Sequence, residues 1–142
     1  MSALAPLPTP FSWPVRVYWE DTDAGGIVFY ANYLKFFERA RTEWLRERGV
    51  EQGQLRAQTG AMFVVSEDHL RYHHSARLDD ELIVTAVPTE VGRASMTLSQ
   101  QAFLKKGAEP LLLCEATVRV GWINANTYQP TRIPLTLLDA LR

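Results

Sequence analysis

Hydrophobic positions along this chain follow two rhythms, a helical one early and a strand-like one late. From Ala31 to Arg48, Tyr33, Phe36, Phe37, Ala40, Trp44 and Leu45 form one wide apolar stripe, while Arg39, Arg41, Glu43, Arg46 and Glu47 largely take the other side. That spacing predicts a single long amphipathic helix, ended by Gly49. Further on, the period shortens to two. Cys114, Ala116, Val118, Val120 and Trp122 alternate with Glu115, Thr117 and Arg119, and Met96, Leu98, Ala102 and Leu104 alternate with Ser95, Thr97, Ser99 and Gln101. Successive side chains of a strand point to opposite faces, so each run predicts a strand with one buried face.

Four strands are expected in this second half: Met62 to His73, Glu81 to Val91, Ala94 to Lys105 and Leu111 to Ile123. Asp79-Asp80, Gly92-Arg93 and Gly107-Ala108 with Pro110 separate them, and the last two connections are short enough for antiparallel hairpins. Val15 to Glu20 is a shorter strand before the helix, and Leu135 to Leu141 a brief closing helix. A stripe with two Phe, a Tyr and a Trp needs a broad apolar surface opposite, which a sheet supplies. The order predicts an α+β domain, one antiparallel five-stranded sheet wrapped around a long central helix. Such a sheet has edges to protect, and pairing of copies through an edge would do so; an oligomer is expected.

Composition narrows the class. At 142 residues, 15–142 reads as a single domain, and residues 1–14, with four prolines, as a flexible lead-in. This lead-in has no basic residue and no apolar core segment, so it does not read as a secretory signal. The longest aliphatic run, Leu111 to Leu113 with Cys114, is far too short to span a bilayer. A net charge of −1 gives no general reason to expect nucleic acid or an anionic membrane as partner. The single cysteine, Cys114, excludes an internal disulfide, and a cytoplasmic location is expected.

The chemistry concentrates between Tyr18 and Tyr33. Glu20, Asp21 and Asp23 lead through Gly25 and Gly26 into the start of the helix. The glycines let a ligand approach the backbone, and the first helical N–H groups lack internal partners at the positive end of the dipole. A carboxylate beside such a carbonyl-binding site suits acyl chemistry. Taken alone, Asp23 fits a turn or capping acid equally well, and Glu20 and Asp21 read as structural or solvated.

Other chemistries find less support. Asp21 to Gly25 has the look of a calcium loop, but the third acid is absent, the glycine is misplaced and the twelfth position is Asn32. His69, His73 and His74 have no zinc-ligand spacing, and no metal is expected. There is no Gly-x-Ser-x-Gly elbow. Cys114 lies on the apolar face of the most regular strand and reads as an inert core thiol. Arg71, Arg77, Arg93, Lys105 and Lys106 read as solvated charge.

The run Glu20-Asp21-Thr22-Asp23-Ala24-Gly25-Gly26-Ile27-Val28, then Ala31-Asn32-Tyr33 and Phe36 to Leu45, with Ala76-Arg77-Leu78-Asp79-Asp80 downstream, closely resembles the tol-pal-associated (YbgC-type) acyl-CoA thioesterases. These form part of the 4-hydroxybenzoyl-CoA thioesterase branch of the hotdog-fold proteins, and the likeness runs from about Val15 to about Pro134. It implies a hotdog fold, a homodimer or homotetramer, and hydrolysis of an acyl-CoA to acid and CoA without a cofactor. Asp23 matches the catalytic aspartate, as general base or nucleophile. Tyr30 matches the residue whose backbone N–H polarises the thioester carbonyl, and Phe29 and Gly26 are expected to line the substrate. Tol-pal-type members commonly carry His where this chain has Tyr30, whereas hydroxybenzoyl-type members carry Tyr, so the acyl group does not follow from the resemblance. A dehydratase on the same fold usually needs a His beside the acid, and none lies in residues 20 to 45. A module that only binds acyl-CoA or acyl carrier protein is the remaining alternative.

Overall fold

The computed structural model describes residues 10–142. Strand β1, Phe11–Arg16, leads through a loop to helix α1, Tyr33–Glu47, and a short helix α2, Gln52–Thr59. Strands β2 (Ala61–Tyr72), β3 (Glu81–Val91), β4 (Ser95–Leu104) and β5 (Leu111–Asn124) follow, and helix α3, Leu135–Leu141, closes the fold. The five strands form one sheet in the order β1-β3-β4-β5-β2, antiparallel throughout. The chain therefore enters at one edge, crosses the sheet face as α1, and re-enters at the other edge as β2.

Helix α1 buries the expected stripe: Tyr33, Phe36, Phe37, Ala40, Trp44 and Leu45 are all buried. Its partners are mostly β1, β3 and β4, through a face that includes Val15, Leu82, Val84, Leu98 and Ala102. Each large side chain among them taken from water contributes about 1.5–3 kcal/mol, which holds the helix to the sheet. On the helix-facing side of β2, Phe63, Val65, Asp68, Leu70 and Tyr72 stand beside Trp122, Val120, Val118, Ala116 and Cys114 of β5. This half of the face is less fully covered, and Val65 and Tyr72 remain about half exposed.

Four local features depart from the sequence expectation. Phe11 to Pro14, expected in the flexible lead-in, belongs to β1, and only residues 1–9 of that stretch lie outside the described residues. β1 is an edge strand, where half the backbone groups face away from the ladder and a proline such as Pro14 is tolerated. Trp19–Asp21, expected to end a strand, is a 3-10 turn, because the Asp21 carboxylate accepts from the Tyr18 N–H at 2.8 Å. The long helix starts at Tyr33 rather than Ala31, since Tyr30–Asn32 tightens into another 3-10 turn. α2 was not anticipated; within it only Leu55 is even partly buried, so it lacks an apolar stripe. No helix among the described residues is long and apolar enough to cross a membrane.

Candidate active site

The segment between β1 and α1 is a loop fastened at several points. Asp21 is buried, with its carboxylate on the Tyr18 N–H, and its carbonyl accepts from the Phe29 N–H at 3.0 Å and the Asn32 side-chain amide at 2.8 Å. Thr22 pairs antiparallel with Val28, so residues 22 to 28 make a small hairpin whose tip runs from Asp23 to Gly26. The Gly26 N–H donates to the Asp23 carbonyl at 3.0 Å, and the Asp23 N–H to the Ile27 carbonyl at 3.0 Å. Gly26 has φ +78°, a conformation that glycine adopts without penalty.

Asp23 stands exposed on that tip. Its Oδ1 accepts from the Gly25 N–H at 2.8 Å, which fixes the carboxylate, while Oδ2 accepts no hydrogen bond from the described residues. A Cβ at position 25 would lie 3.1 Å from Oδ1, so the glycine there keeps room for the acid. The hairpin is tied to the loop after β2 by the Val28 N–H on the Ala76 carbonyl, 2.9 Å, and by pairing of Ile27 with Arg77.

The returning limb carries the start of the helix. Among the described residues, neither the Tyr30 nor the Ala31 N–H donates to an acceptor, whereas the Asn32 N–H donates to the Phe29 carbonyl. Because Phe29 is bonded back to Asp21, the acid at the tip and the free N–H groups belong to adjacent limbs of one fastened loop. The Phe29 and Tyr30 rings are in contact, centroids 4.8 Å apart, and both are exposed. Of the expected site residues, then, Asp23 and Gly26 share the hairpin tip and Phe29 and Tyr30 lead into α1.

The supports of this turn have no signature in the sequence pattern. Tyr72, near the end of β2, donates from its hydroxyl to the Tyr30 carbonyl at 3.0 Å and packs edge-on against Tyr30 and Tyr33. The Tyr33 hydroxyl in turn accepts from the Ala76 N–H at 3.2 Å. Desolvation by burial raises both tyrosine pKa values, keeping these hydroxyls protonated. Cys114, opposite Tyr72 in the ladder, is buried, and that burial pushes its thiol up to about 12.

A second polar cluster lies further along α1, where Arg41 was expected on the solvated side. Its guanidinium instead donates to the fully buried Gln100 at 2.9 Å, and Gln100 donates to the Phe37 and Thr85 carbonyls. Burial lowers the Arg41 pKa and raises that of Asp68, one of whose oxygens is buried without a partner. A cavity of about 170 Å³ beside them is lined by Leu45, Phe63, Leu98 and Val120 among others. Among the described residues no three His, Cys, Asp or Glu side chains group as a metal site.

A family model described as the thioesterase superfamily matches residues 25–111. The acyl-CoA thioesterase YbgC of Haemophilus influenzae is 42% identical over 124 residues, covering 87% of this chain and 88% of that one. The acyl-CoA thioester hydrolase YbgC of Escherichia coli O6:H1 is 42% identical over 130 residues, covering 92% and 94%. Among solved structures, a mutant 4-hydroxybenzoyl-CoA thioesterase complexed with 4-hydroxybenzoyl-CoA superposes with a TM-score of 0.86 at 17% identity, covering 92% of this chain and 97% of that one.

Proposed function

This chain belongs to the thioesterase superfamily and has the hotdog fold, and we propose that, as an acyl-CoA thioesterase, it works through Asp23 and the first turn of α1. The observation that carries this reading is the fastened loop, with a fixed, exposed carboxylate on one limb and unpartnered helix-leading N–H groups on the other. The thioester oxygen takes the Tyr30 and Ala31 N–H groups, which favour it as negative charge develops and need no reorganisation. Asp23 Oδ2 accepts a proton from water as the water oxygen bonds the carbonyl carbon. Collapse of the adduct breaks the C–S bond, and the thiolate leaves as CoA thiol with that proton. The open side of the carboxylate gives water access for this base role, and direct attack of the same oxygen on the carbonyl carbon is the second route. A rapid-quench single turnover separates the two: nucleophilic attack releases CoA thiol ahead of the free acid and leaves the acyl group on the protein in between, whereas the base route releases both together.

Phe29 and Tyr30 offer exposed rings to the acyl group where it meets the carbonyl site, and Gly26 leaves that side open. A homodimer forms through β2, whose twelve residues are hydrogen-bonded to a neighbour on one side only. A reducing cytoplasm suits the single buried thiol. The testing experiment is thiol release across short, long and aromatic acyl-CoAs, with the same acyl groups on acyl carrier protein as a second set. Release from acyl-CoA is expected; release only from the carrier protein would make that protein the partner, and none from either would overturn the reading.

A further inference from the structure

We propose that Tyr72 is a positioning residue for thioester hydrolysis, its hydroxyl holding and polarising the peptide between Tyr30 and Ala31 so that the Ala31 N–H is aimed at the substrate carbonyl. This rests on the reading of the α1 start as the carbonyl site. One peptide unit joins the Tyr30 carbonyl to the Ala31 N–H. The Tyr72 hydroxyl donates to that carbonyl at 3.0 Å, and the N–H at the other end has no acceptor among the described residues. Withdrawing electron density at the oxygen makes the N–H a stronger donor, as in any chain of hydrogen bonds. It also braces the peptide plane from outside a 3-10 turn only three residues long.

Several observations set this bond apart from ordinary surface polarity. Tyr72 comes from the far end of β2, 42 residues along the chain, so nothing local requires the contact. Its ring is wedged between two others, 6.1 Å from Tyr30 and 5.8 Å from Tyr33, which aims the hydroxyl. Other fastenings of the turn, from Phe29 and Asn32 to the Asp21 carbonyl and from the Ala76 N–H to the Tyr33 hydroxyl, fix its flanks and do not reach the Tyr30 carbonyl. Among the described residues, Tyr72 is the side chain that reaches the unit carrying the Ala31 donor.

Tyr72→Phe keeps the ring contacts and removes only the hydroxyl. Losing one such donor outright slows catalysis by about 10²–10³, so weakening one of two predicts a fall in kcat of about tenfold, with KM and melting temperature little changed. The specific readout is the carbonyl stretch of a ¹³C-labelled acyl-CoA bound to Asp23→Asn, where turnover is blocked. The band is expected to lie below its frequency in solution and to move back towards it when Tyr72→Phe is added. Unchanged kcat in Tyr72→Phe overturns the proposal, and so does a reduced kcat with an unmoved band. Full turnover in Asp23→Asn would remove the role of the acid instead, while kcat of Tyr72→Phe still reports on the carbonyl site.

Discussion

Asp21 and Asp23 are separated by one residue and differ in burial: Asp21 is buried and Asp23 exposed. Each carboxylate accepts one backbone N–H at 2.8 Å, but Asp21 is buried, with its carbonyl on two further donors, and so is closed to a substrate. Asp23 is fixed through one oxygen and open at the other. Gly25→Ala tests that arrangement: its Cβ, 3.1 Å from Oδ1, must displace the acid, so kcat is expected to fall about tenfold or more while melting changes little. Wild-type kcat in that variant would mean the position of the carboxylate is unimportant. Cys114 supplies a residue-scale test of burial. Its thiol titrates near 12 when folded, above the roughly 8.5 of an exposed thiol. The stability gained by keeping it neutral is complete below about pH 8.5 and is lost as pH rises through about 12. At pH 8 a thiol-reactive dye is expected to leave the native protein unlabelled and to react once urea unfolds it. The distinction between the two acids was not legible from spacing; the resemblance singled out Asp23, and the burial of Asp21 against the exposure of Asp23 supplies the physical difference.

At the scale of elements, α1 is the part on which both core and site depend. Phe36 and Phe37 are fully buried at its first turns, against the sheet. Phe36→Ala is expected to cost about 3–5 kcal/mol, because the rigid sheet opposite cannot close the cavity, and chemical denaturation measures it; a loss below about 1 kcal/mol would show that the helix is not held this way. The elements with strong apolar periods were legible: β4 spans Ser95–Leu104 and β5 spans Leu111–Asn124, each within one residue of the expected bounds. Elements set by polar contacts were not. α2 has little apolar face, and the 3-10 turns at Trp19–Asp21 and Tyr30–Asn32 depend on hydrogen bonds that periodicity does not carry. Tyr72 and Asn32 were missed for the same reason, since their partners lie 42 and 11 residues away. Gln100 sits at an inward position of an alternating strand, a polar exception that only its bonds to Arg41, Phe37 and Thr85 explain.

For the whole molecule, one sheet covers the long helix and, among the described residues, leaves β2 as an unpaired edge beside the less covered half of the face. Sedimentation is expected to give a dimer or a tetramer built from it, and Val65→Lys, on the exposed stretch of β2, to shift the protein towards monomer; a wild-type monomer at micromolar concentration would remove the edge-pairing account. The central claim is that a fixed acid and a helix start on one fastened loop together hydrolyse an acyl thioester. Its most direct test is CoA release from the best acyl-CoA by wild type and Asp23→Asn at matched concentration, with melting and oligomer size measured on the same samples. The account predicts a loss in kcat of about 10²–10⁴ with fold and assembly intact. Turnover of the variant at the wild-type rate would contradict it.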